Sequence, residues 1–148
     1  MCPAEDDGFS FYNRTLLDLS ARAGDHRAID GAATCHARVA SPVCGSTLEL
    51  DLRVDPQGRI AALGWTLSAC ALTKSVMAVF QEAAIGATLA DIREAHAALA
   101  ALLAGEAPVW PDNKWAQLQV LAPLKDHRPR HNAMQLPFEA AEKALQEK

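Results

Sequence analysis

Residues 41–78, SPVCGSTLELDLRVDPQGRIAALGWTLSACALTKSVMA, decide the fold. Leu48, Leu50, Leu52 and Val54 alternate with Thr47, Glu49, Asp51 and Arg53, and this period of two predicts a strand with one buried and one wet face. Asp55–Gly58 (DPQG) has turn chemistry, because Pro56 fixes φ at about −65° and Gly58 is free to take a positive φ. The return stretch RIAALGWTL predicts a second strand and so a hairpin. It places Leu63, Trp65 and Leu67 on one face and Ile60 on the other, unless a bulge intervenes before Gly64. The period then changes to 3.6: Leu72, Val76, Val79, Phe80 and Ala83 form one stripe of a helix running from near Ser68 to Gly86.

Upstream, CHARVASPV (Cys35–Val43) predicts a weak third strand closed by Pro42. Gly24–Ala32 reads as a loop, and Phe11, Leu16, Leu17 and Leu19 form the apolar side of a short helix that ends by Gly24. Downstream, Thr88 and Asp91 make a capping box for a helix carrying Leu89, Ile92, Leu99, Leu102 and Leu103 and stopping at Gly105. Trp115, Leu118 and Leu121 suggest a short helix to Pro123. KDHRPRHN then reads as a polar, basic loop, and Pro137 takes the first position of a last helix that turns Phe138, Ala141 and Leu145 inward. The sum is an α+β fold, a small antiparallel three-stranded sheet with helices packed on one face.

The chain of 148 residues is 50% hydrophobic and 22% charged, which suits one domain spanning 1–148 and excludes disorder over the whole length. Lys and Arg number 14 against 18 Asp and Glu, and the formal charge of −4 argues against general binding to nucleic acid or anionic lipid. No run reaches the roughly 18 apolar residues of a membrane span. The start, MCPAEDDGFSFYNR, is acidic where a signal peptide is basic and then apolar, so a cytoplasmic protein is expected. In that reducing setting Cys2, Cys35, Cys44 and Cys70 read as thiols, metal ligands or buried small residues, and none forms a CxxC pair.

Cys44 lies in SPVCGS, bracketed by Pro42 and Gly45 just before the strong strand. Cys70 lies where the second hairpin strand passes into a helix, a place where unpaired N–H groups favour a thiolate. The two thiols enter and leave one hairpin, whose antiparallel pairing brings its ends together and allows a two-sulfur site; the bland alternative for each is a small buried residue. Cys35 and His36 are adjacent on a strand and point to opposite faces, so Cys35 reads as structural. His131, just before the last helix, can join the thiols as an imidazole ligand or remain a surface histidine. His26, His96 and His127 have no feature that points to a site, and His96 reads as a helix residue beside the apolar stripe. Lys125, Arg128 and Arg130, interrupted by Asp126, form a basic cluster that is either a solvated loop or a surface for an acidic protein partner.

Residues 41–78 resemble the core of the U-type iron–sulfur cluster assembly scaffolds, the IscU/NifU N-terminal-like family. Its pattern is a Pro-x-Cys-Gly-Asp loop, a hairpin, a Cys at a helix start and a third Cys before the last helix. FYNRTLLDL resembles the family's first helix and RHNAMQLPFEAAEKAL its last, so the likeness covers nearly the whole chain. By this resemblance Cys44 and Cys70 hold the first two cysteine positions. The departures are Ser46 in place of the Asp, and Ala133, or Asn132 after a one-residue slip, in place of the third Cys. The likeness is thus to a divergent branch lacking that third cysteine. It implies a scaffold, not a turnover enzyme, that binds iron, zinc or an iron–sulfur cluster, takes sulfur from a cysteine desulfurase or other donor, and passes its cargo to client apoproteins. KDHRPRHN replaces the LPPVK-like segment, which takes away the sequence basis for a dedicated chaperone partner. Two other readings stay open: a degenerate module of the same fold acting as a metal-free protein-binding or regulatory partner, and a thiol sulfur-acceptor enzyme with Cys70 as acceptor and Cys44 as resolving thiol.

Overall fold

The structure, a computed structural model, describes residues 14–41, 45–69, 71–111, 113–126 and 128–146. Its elements in chain order are α1 (Arg14–Ala23), β1 (His26–Arg27), β2 (Cys35–Ala40), β3 (Thr47–Val54), β4 (Ile60–Ser68), α2 (Ala71–Ala83), α3 (Leu89–Leu103), a 3-10 segment (Asn113–Asp126), α4 (Arg128–Met134) and α5 (Leu136–Gln146).

The alternation in β3 folds as it reads: Leu48, Leu50 and Leu52 are fully buried, while Glu49 is exposed. Leu67, Trp65 and Leu63 of β4 pair with Leu48, Leu50 and Leu52 and share their inward face. The bulge is present. Arg53 pairs with Ala62 but Val54 pairs with Ile60, so Ala61 is the extra residue and Ile60 returns to the core face with 1% exposure. β2 completes this face with Cys35 and Ala37.

The sheet has four strands, in the order β1-β4-β3-β2, and not three. The additional strand is only two residues long, His26 and Arg27 opposite Thr66 and Trp65, too short to leave any periodic signal in sequence. Because β1 and β2 lie on opposite edges, the link between them must cross β4 and β3, and it crosses the face turned away from the helices. Gly64 makes room for it: a Cβ there would come within 2.4 Å of the Ile29 nitrogen and 2.7 Å of the Arg27 oxygen. The Arg53 guanidinium, on the same face, donates to the Asp30 carbonyl.

On the inner face α5 lies across β2 and β3, α1 lies along α2, and α3 packs against α5 and the 3-10 segment. Helix α2 is buried nearly all round, from Leu72 and Thr73 to Phe80 and Ala83. Phe80, Trp115 and Phe138 meet with ring centroids 5.3–5.8 Å apart, which joins α2, the 3-10 segment and α5. The Thr88–Asp91 capping box opens α3. Three boundaries move. β4 runs on through Ser68 and α2 begins only at Ala71. Residues 113–126 form a 3-10 segment because Trp115, Leu118, Leu121 and Leu124, all buried, recur at every third position. α4 begins inside the stretch read as a polar loop, and its Pro129 sits in the first turn, where a missing N–H costs nothing.

Candidate metal centre

Two main-chain hydrogen bonds, Ser41 N to Ser46 O at 2.8 Å and Gly45 N to Ser41 O at 3.0 Å, close the loop that leads into β3. Gly45 takes φ +75°, a conformation that side chains disfavour, so this glycine is required by the turn itself. Ser41 and Ser46 are buried at the neck of the loop. Across the hairpin Thr47 pairs with Ser68, the last pair of the β3–β4 ladder. The chain therefore enters β3 beside the point where it leaves β4 for α2. Cys44, three positions before Thr47, and Cys70, two after Ser68, both lie outside the described residues.

His131 sits on α4, not in a loop. Its Nε2 donates to the Leu124 carbonyl at 2.8 Å, and the half-buried side chain borders a cavity of about 640 Å³ with Arg128, Asp126 and Gln135. Among the described residues the cavity is walled by the C-terminal end of α3, by Asp126 and by α4 and the residue after it, with nothing from the hairpin. Of the departures from the scaffold pattern, Ser46 is buried, Asn132 is exposed and Ala133 is enclosed with 0% exposure. Among the described residues no group of three or more His, Cys, Asp or Glu is placed to hold a metal ion.

Cys35 is a free thiol buried on the core face of β2, with Thr34 Oγ1 at 3.8 Å. Its neighbour His36 points the other way and meets Asp51 of β3 at 2.6 Å on the exposed face. The histidine that sequence reasoning passed over is His96. Nε2 meets Gln135 Oε1 at 2.7 Å and Nδ1 meets Glu142 Oε2 at 2.6 Å, and the ring stacks on Phe138 at 5.4 Å. A signal existed: His96 lies between Ile92 and Leu99, four and three positions away, beside the buried stripe of α3. Next to this cluster, burial pushes the Glu139 carboxyl above its ordinary value; His96 pulls it down and Glu142 pushes it up further.

No helix among the described residues is long and apolar enough to cross a membrane. No family model and no curated protein matches the chain. Solved structures do. A NifU-like protein (N-terminal part) from Brucella abortus superposes with a TM-score of 0.80 at 26% identity, over 93% of this chain and 94% of that one. A protein described as a putative iron–sulfur cluster assembly scaffold for the SUF system, from Fervidobacterium islandicum AW-1, gives 0.79 at 20% identity, over 93% and 98%. The fold is that of the NifU-like scaffolds.

Proposed function

We propose that this chain is an iron–sulfur assembly scaffold-like protein. It holds iron, zinc or a cluster as cargo through Cys44 and Cys70, with His131 as a further ligand. Sulfur comes from a cysteine desulfurase or other donor, and the cargo goes on to client apoproteins. The observation that supports this reading is the register of Thr47 against Ser68, which sets the start of β3 beside the end of β4, three positions after Cys44 and two before Cys70 in the sequence. The likeness to NifU-like and SUF-type scaffold structures supports it. Thiolates select iron–sulfur units and zinc, and a cargo short of protein ligands keeps positions open for a donor or client, which favours transfer over storage.

Anaerobic purification followed by metal and acid-labile sulfide analysis tests the reading. The parent is expected to carry iron with sulfide, or zinc, and Cys44→Ser and Cys70→Ser each to lose it. One observation favours a second reading, a metal-free module that binds or regulates a protein partner. Ala133, which occupies the third-cysteine position in ungapped register, is sealed in the core and offers nothing to a metal. Neither metal nor sulfide in the folded parent would remove the first reading and favour the second.

A further inference from the structure

The polar cluster of His96, Gln135 and Glu142 plays no part in the proposed function, and its hydrogen bonds fix where the protons sit. Gln135 is the one residue between α4 and α5. Its main-chain N–H bonds back to Asn132 O at 3.1 Å, which leaves the His131 carbonyl without that helical partner, and Gln135 Nε2 supplies the missing donor at 3.1 Å. A carbonyl only accepts, so the amide cannot be turned over, and it is Oε1 that faces His96 Nε2 at 2.7 Å. That ring nitrogen must therefore donate. Nδ1 meets Glu142 Oε2 at 2.6 Å, and a proton between an imidazole and a carboxylate stays with the more basic imidazole. Both nitrogens thus carry hydrogen, and the half-buried ring, stacked on Phe138, is an imidazolium. From α5 it faces Glu142 and feels Glu139, while the exposed Arg93 lies one turn before it on α3. His131 of α4 is joined to it through Gln135, and Asp126 of the 3-10 segment and Arg128 of α4 border the cavity that Gln135 also lines.

We propose that His96 is a pH-operated catch on the α4–α5 junction: doubly protonated, it holds the Gln135 amide against the last turn of α4, and loss of its Nε2 proton to solvent frees that amide and the cavity wall it belongs to. A neutral ring has one N–H for two acceptors. Keeping it on Nε2 would aim the Nδ1 lone pair at the Glu142 carboxylate, whereas keeping it on Nδ1 aims the Nε2 lone pair at Gln135 Oε1. A hydrogen bond to a charged group is roughly twice as strong as one between neutral groups, so the Glu142 contact persists and the Gln135 contact is the one that gives. Gln135 cannot answer by turning its amide over, because Oε1 would then meet the His131 carbonyl oxygen. Its side chain must leave one partner or the other, and the last turn of α4 loses its tie to α3.

Two measurements on the full chain test the catch. Ring nitrogen chemical shifts of His96, followed by NMR from acid to alkaline pH, show which nitrogen gives up its proton. Hydrogen exchange of the amides of residues 132–135, corrected for the intrinsic dependence of exchange on pH, shows whether the junction loosens with it. Nε2 is expected to become the bare nitrogen while Nδ1 keeps its hydrogen, and protection at the junction to fall about three- to tenfold with the same midpoint, the worth of one hydrogen bond. His96→Gln, which cannot titrate, should abolish that step. A ring that loses the Nδ1 proton instead, protection that shows no step at the His96 midpoint, or a step there that survives in His96→Gln overturns the proposal. The parent alone delivers the first two of these outcomes, so the test stands even if the variant does not fold.

Discussion

The half-buried carboxyl of Glu139 is held above its ordinary value of 4.5, chiefly by burial. A carboxyl raised in this way binds its proton more tightly folded than unfolded. Its contribution to stability is therefore greatest below about pH 4.5 and falls as pH rises through the folded-state value. Glu139→Gln keeps the shape and removes the charge. The variant is expected to melt above the parent at pH 7, with the difference shrinking toward zero below pH 4.5, as thermal melts across pH would record. A parent that remains the more stable at pH 7 would mean that attraction to His96 outweighs burial. His96 itself shows why a sequence hides such a cluster. Its partners Glu142 and Gln135 are 46 and 39 positions away, on an element whose placement against α3 no local pattern encodes.

At the scale of elements, Gly64 separates what a pattern can announce from what it cannot. The β3–β4 hairpin, the α3 capping box and the stop of α1 at Gly24 are all legible, because each is settled by residues a few positions apart. The crossing at Gly64 is not, since the backbone it admits belongs to residues 27–29. The bulge at Ala61 was legible only as a condition, and the burial of Ile60 is what meets it. For the candidate site, sequence named both thiols and their hairpin, while the polar cluster of His96 with Gln135 and Glu142 joins residues 39 and 46 positions apart. Gly64→Ala would drive a methyl group into the main chain at Ile29, which cannot yield as a flexible side chain can. A loss of about 1–3 kcal/mol is expected in urea denaturation, the usual range for overpacking. A neutral result would show that the crossing chain lifts away without cost.

For the whole molecule, the link that crosses at Gly64 imposes a chronology. It can lie against the sheet only after β3 and β4 have paired, and that pairing needs only a short turn to close, whereas His26 must find Thr66 across 40 positions of chain. The hairpin belongs to the early, local part of folding and the crossing chain to its last act. A contact made after the transition state leaves the folding rate almost untouched and is felt when the protein comes apart. In stopped-flow kinetics Gly64→Ala should therefore show its loss mostly on the unfolding limb, with the refolding limb near that of the parent. The segment behaves as a latch thrown after assembly: it does little to guide the chain home and much to decide how long the finished molecule lasts.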